Sequence, residues 1–152
     1  ELFDRGEGLK SLLDVGTGTG ILGIAAALFG AAEVLGIDND PDAVSAAKEN
    51  VVRNRLQQSM QVSLTPLSRL DGSYDVVVAN IIHDVLVEMS ADLIRLTAAG
   101  GVLILSGILV GEQVESVVTL FTEAGFSLEK EEASGEWAAL MFVRVSRLRQ
   151  RN

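Results

Sequence analysis

Apolar and polar positions in this chain follow two alternating periods. Short, nearly continuous apolar runs at residues 12–15, 34–37 and 102–105 read as buried strands, with a weaker candidate at 60–64 closed by Pro66. The run Tyr74–Asn80 reads as a central parallel strand, because its apolar stretch is continuous rather than alternating. Between these runs the period lengthens to that of a helix. Ile21, Ile24, Ala25 and Leu28 share one face, with Gly30 placed to close that helix. Asp40 and Pro41 supply a cap and a first helical residue for Val44, Ala47, Lys48 and Val51. A third helix carries Val85, Leu86, Met89, Leu93 and Leu96, with Asp84 as its expected cap and Gly100-Gly101 beyond its end. A fourth carries Val114, Val117, Val118 and Phe121 and ends at Gly125. Residues 126–130 and 137–145 then form a hairpin across the polar turn 131–136.

Strands alternating with helices predict an α/β fold: a largely parallel sheet, helices on both faces, right-handed crossovers, and one antiparallel strand from the closing hairpin. Open sheets of this kind bind ligands outside the carboxyl ends of their strands. Asp14, Gly16, Gly18, Gly20, Asp38, Asn80 and Ser106-Gly107 all fall there.

With 152 residues and 48% hydrophobic content, the chain suits one well-buried domain. It begins at Glu1 without methionine and enters its first strand almost at once, as expected of a fragment of a longer protein. The absence of cysteine excludes disulfides and thiolate chemistry and is compatible with the cytosol. No apolar run has transmembrane length, so no membrane partner is expected. A formal charge of -9 argues against a protein that grips nucleic acid by neutralising phosphates and suits a basic partner, or simply solubility. Arg144, Arg147, Arg149 and Arg151 make the end locally basic, which fits a solvated tail. A single histidine and no cysteine leave no expected metal site.

The chemistry concentrates in L-L-D-V-G-T-G-T-G, residues 12–20, followed by Asp38 at the end of the next strand. Alternating glycines between a strand and a helix let backbone N–H groups approach a ligand closely, and the acid is placed to accept hydrogen bonds from a ribose diol. Gly18 to Gly23 satisfy G-x-G-x-x-G, the dinucleotide pattern. Here, however, Gly16 already occupies the first position after the strand and Asp14 precedes it. A carboxylate is poorly placed beside a pyrophosphate and well placed beside an ammonium group. That favours S-adenosylmethionine over NAD.

These segments, together with G-I-D-N-D-P-D-A-V (36–44), Glu49-Asn50, D-V-V-V-A-N-I (75–81), L-S-G-I-L (105–109) and the closing A-G-F and G-E-W-A-A-L, resemble the catalytic domain of the bacterial ribosomal protein methyltransferase family PrmA, which modifies protein eleven of the large subunit. The resemblance covers nearly the whole chain. It implies a Rossmann-like class I methyltransferase with a seven-stranded sheet, mostly parallel with the last strand antiparallel. It also implies S-adenosylmethionine as donor, S-adenosylhomocysteine as product, a ribosomal protein as substrate through its amino groups, and a cytoplasmic location. The family has an upstream recognition domain and a G-T-G-x-H-x-T-T segment over the cofactor, neither found in residues 1–152; the chain is expected to be the cofactor-binding catalytic domain alone. Where relatives often read N-I-L-A, this chain has Asn80-Ile81-Ile82-His83.

The expected cofactor set is Asp14, Gly16, Thr17, Gly18, Gly20, Asp38, Asn39 and Asn80. By resemblance, the Asn80 carbonyl also orients an incoming amine, with Ile81 completing that wall as the second catalytic residue. His83 is expected at the surface or in a cap rather than as a base, and Tyr74 and Trp137 as core or sheet-packing groups. Thr65 and Leu67 are weak candidates near adenine. A methyltransferase for another amine, a silent S-adenosylmethionine-binding module and an NAD-dependent oxidoreductase stay open.

Overall fold

The computed structural model describes residues 8–146; Arg147, Arg149 and Arg151 of the basic end lie outside the described residues. The elements run β1 Ser11–Val15, α1 Ile21–Leu28, β2 Glu33–Ile37, α2 Pro41–Arg53, β3 Met60–Ser63, a 3-10 turn Leu67–Arg69, β4 Tyr74–Asn80, α3 His83–Leu96, β5 Thr97–Leu109, α4 Glu112–Glu123, β6 Phe126–Ser134 and β7 Trp137–Arg144. They build one seven-stranded sheet in the order β3-β2-β1-β4-β5-β7-β6, in which β7 alone runs opposite to the other six strands. The reversal of strand order between β1 and β4 opens the crevice in which such sheets take their ligands.

Two apolar layers cover the sheet. Ile24 and Ala26 of α1 and Val44, Ala47 and Val51 of α2 pack on one face over Leu12, Val34 and Val76. Leu86, Leu93 and Leu96 of α3 and Val114, Val117 and Phe121 of α4 pack on the other, over Leu13, Val77 and Leu103. This explains why the central strands read as continuous apolar runs: alternate residues meet different layers. Each large buried side chain contributes about 1.5–3 kcal/mol of transfer free energy. At the far edge Phe121 meets Phe126 edge-on at 5.8 Å and Phe142 at 5.6 Å, tying α4 to the last two strands.

Three expectations need correction. Strand β5 is not 102–105 but Thr97–Leu109: Tyr74 pairs with Thr97 and Val76 with Val102, so the segment between them, including Gly100 at φ +74, bulges out of register. The hairpin turn is Gly135-Glu136 rather than 131–136, because the charged residues belong to β6. As an edge strand exposed over most of its length, β6 needs no apolar alternation, and its charges discourage pairing with another sheet. Asp84 does not cap α3: Ile82 precedes the first turn and Asp84 lies within it, an equally favourable place for a negative charge.

Candidate active site

The turn after β1 is held from within by Asp14. This carboxylate is almost fully buried; its Oδ2 accepts the Thr17 hydroxyl at 2.7 Å and the Gly23 N–H at 3.0 Å. Gly20 precedes α1 and offers no side-chain cap, so Asp14 supplies from the strand the acceptor that a capping side chain would have given. Both bonds fall on one oxygen; Oδ1 makes none to a described residue. Burial pushes the Asp14 carboxyl above its ordinary value, outweighing the two hydrogen bonds that favour its charged form, and neighbouring Asp38 adds to the rise. Gly16, Gly18 and Gly20 all take positive φ, at +69, +56 and +87. Three such residues in five reverse the chain tightly, and a Cβ at Gly18 would meet nothing within 4 Å, so the turn's rim is open.

Strand β2 ends at the same rim. Asp38 Oδ2 accepts the Gly18 N–H at 2.9 Å and Oδ1 the Asp40 N–H at 3.0 Å. Each oxygen thus keeps a lone pair for one further donor, as a paired-hydroxyl ligand requires. Asn50 of α2 closes the arrangement by donating Nδ2 to the Thr19 carbonyl at 2.9 Å. Asn50 appeared in the sequence only as part of a resemblance; a polar residue on a helix gives no sign of which loop it reaches.

Across the crevice, Asn80 ends β4 and is exposed, and Ile81 follows it with its N–H donated to the Ser106 carbonyl at 3.2 Å. Ile81 abuts the glycine turn: a Cβ on Gly16 would lie 3.1 Å from its Cγ2. On the other side of Asn80 and Ile81 opens a groove of about 640 Å³, whose opposite wall is the β6–β7 hairpin with Glu132, Ala133, Ser134 and Trp137. Ile81 therefore borders both the glycine turn and the groove.

The structure thus brings Asp14, Gly16, Thr17, Gly18, Gly20 and Asp38 together around one turn and sets Asn80 and Ile81 beside it. Thr17 is buried with its hydroxyl given to Asp14, so that side chain supports the turn from behind. Asn39 is exposed beside Asp38. Trp137 takes its place in the sheet rather than the core: as the first residue of β7 it pairs with Leu109 and Ser134, is 48% exposed and lines the groove. Tyr74 packs against the core. His83 bridges two helices, with Nδ1 2.9 Å from Asp84 Oδ1 and Nε2 3.2 Å from Ser116 Oγ. Thr65 and Leu67 follow β3; the Thr65 hydroxyl pairs with Ser63 at 2.7 Å and Leu67 is buried. Among the described residues no cluster of three potential metal ligands forms.

Sheet order, glycine turn and the acid ending β2 together define a class I S-adenosylmethionine-dependent methyltransferase fold. Within that class, the chain belongs to the ribosomal protein L11 methyltransferase (PrmA) family, whose sequence profile matches residues 2–145. It is 52% identical over 134 residues to the ribosomal protein L11 methyltransferase of Desulfotalea psychrophila, covering 88% of this chain and 45% of that one. The crystal structure of a ribosomal protein L11 methylase from Lactobacillus delbrueckii subsp. bulgaricus superposes with a TM-score of 0.84 at 31% identity, over 93% of this chain and 73% of the other. A magnesium protoporphyrin IX methyltransferase from Synechocystis, solved with bound S-adenosylhomocysteine, shares the fold at a TM-score of 0.77 and 22% identity, covering 94% of this chain and 78% of the other. The chain spans under half the length of the curated relatives it matches.

Proposed function

We propose that this chain binds S-adenosylmethionine at the glycine turn and supports methyl transfer to amino groups of a large-subunit ribosomal protein in the cytoplasm. The observation that carries this reading is the close approach of Ile81 to Gly16, which sets a turn suited to the donor beside a groove suited to an acceptor.

The residues divide by chemistry. Asp38 is the acceptor for the ribose hydroxyls, and the open glycine turn lets the backbone approach the donor's polar end, with the Gly18 N–H held by Asp38 and the Gly20 N–H by the Thr17 carbonyl. The Oδ1 of Asp14, which no described residue engages, suits the donor's ammonium, directly or through water. When bound, S-adenosylmethionine supplies a methyl group activated by its positively charged sulfur. An attacking lysine amine starts near pKa 10.4, so it must shed a proton to solvent before it has a lone pair to offer. Asn80 Oδ1 and the Ile81 carbonyl accept N–H bonds and point that lone pair, and they also favour the positive charge that grows on nitrogen. No general base is assigned: His83 is engaged with Asp84 and Ser116. Alignment alone is worth up to about 7–11 kcal/mol of barrier in favourable systems.

Calorimetric titration with S-adenosylhomocysteine and NAD tests the cofactor half. S-adenosylhomocysteine is expected to bind and NAD to be excluded, and Asp38→Ala should weaken S-adenosylhomocysteine about ten-fold or more, since bonds to a charged acceptor contribute about 1.5–3 kcal/mol. Preference for NAD, or an unchanged dissociation constant in folded D38A, would refute this assignment.

A further inference from the structure

We propose that Gly107 is a positioning residue for methyl transfer, because the bulge it makes in β5 sets the two oxygens assigned to the acceptor amine, Asn80 Oδ1 and the Ile81 carbonyl. The proposal rests on the role given above to Asn80 and Ile81.

Strand β5 runs in parallel register with β4 through Asn80 and Ser106, and it pairs with β7 up to Ser106, where the register shifts before resuming at Ile108. Gly107 is the residue that absorbs the shift, at φ +81. Its α-carbon lies so close to the end of β4 that a Cβ there would be 2.9 Å from the Ile81 oxygen, 3.0 Å from Asn80 Oδ1 and 3.2 Å from the Ile81 carbonyl carbon. Two of these atoms are backbone and the third belongs to a short amide, so none yields like the tip of a long side chain. Any side chain at position 107 must push the Asn80–Ile81 turn outward or rotate the amide. Bulges re-aim neighbouring groups in this way beside active sites. Gly107 itself lines the groove with Asn80, Ile81 and Ser106, so the displaced oxygens are the ones at its wall.

Backbone strain must be separated from displacement, and the molecule provides its own control. Gly111 has φ +93, yet a Cβ there would meet nothing within 4 Å. Gly111→Ala therefore carries the strain without the collision. Gly107→Asn complements Gly107→Ala, because asparagine tolerates positive φ better while carrying the same Cβ.

The test uses the full-length protein containing this chain, with the ribosomal protein as acceptor and saturating S-adenosylmethionine. Gly107→Ala and Gly107→Asn are expected to lower kcat about ten-fold or more while S-adenosylhomocysteine affinity stays within about three-fold. Gly111→Ala should keep at least about half of wild-type kcat. Since Gly107 acts in part through the Asn80 amide and in part through the Ile81 carbonyl, the losses of Asn80→Ala and Gly107→Ala should combine to less than their product in the double variant. Wild-type kcat in either Gly107 variant, an equal loss in Gly111→Ala, or failure of both Gly107 variants to fold would overturn the proposal, the last because Gly107 would then serve the sheet and not the acceptor. A wild-type enzyme that binds S-adenosylhomocysteine but methylates no amine would overturn the underlying reading and this proposal together.

Discussion

Asp14 places two demands on one carboxylate. One oxygen secures the Thr17 hydroxyl and the first turn of α1, while burial disfavours the charge that the other oxygen would present to an ammonium group. Asp14→Asn separates them, since the amide carbonyl can still accept both internal bonds. The folded protein holds a proton on Asp14 to higher pH than the unfolded chain does, so this site's contribution to stability falls as pH rises above the ordinary 3.8. Asp14→Asn should therefore be at least as stable as wild type near pH 7, with the difference shrinking as pH falls toward about 4. S-adenosylhomocysteine affinity should drop nonetheless. Melting temperatures across that range, with titration at pH 7, check both outcomes; a destabilised variant at neutral pH would mean that the charge itself helps hold the turn.

Among the elements, α3 shows how an end is secured by a strand next to the one it leads into. Arg144 of β7 donates to the carbonyls of Ile94 and Thr97, where α3 passes into β5, and its guanidinium lies 6.0 Å from the Phe126 ring centroid. Arg144→Met keeps the stem but removes the donors, so it should cost about 1.5–3 kcal/mol by denaturant unfolding. Cofactor affinity should be unchanged, because the glycine turn lies at the other end of the strands. The sequence carried the strand and helix order, and the aspartates at the ends of β1 and β2, because each follows from a local period or a neighbouring turn. The bulges of β5 were not legible, since register depends on the partner strand: Gly107 is defined by what Asn80 and Ile81 bring to it. The exposure of Trp137 escaped for a related reason, as a tryptophan reads as a core or sheet-packing group and nothing local shows that it stands at the end of its strand beside an open groove.

At the scale of the whole molecule, the regions proposed for donor and acceptor sit in different halves of the sheet. The glycine turn and Asp38 hang from β1 and β2, and the groove is closed by β6 and β7. The acidic balance of twelve basic against twenty-one acidic residues suits a basic protein substrate, but a groove of this size engages only the region around one side chain. The chain alone should therefore bind S-adenosylhomocysteine yet methylate the ribosomal protein less efficiently than a full-length relative, because further contacts add local concentration and binding energy. Labelled-methyl transfer at subsaturating substrate measures the gap; equal kcat/KM would show that these residues already hold the recognition surface.

The sheet order also dictates when the molecule can be finished. Strand β7, last in sequence among the described strands, lies between β5 and β6, and β6 has no other hydrogen-bonding partner in the sheet. A nascent chain that has made β1 to β5 already possesses the donor half but must wait for its final strand before β6 can join. Such late, long-range pairing is slow relative to local contacts. Termination before Trp137 would thus remove two strands' worth of sheet and with them the acceptor wall, leaving a chain with its glycine turn formed and nowhere to seat an amine.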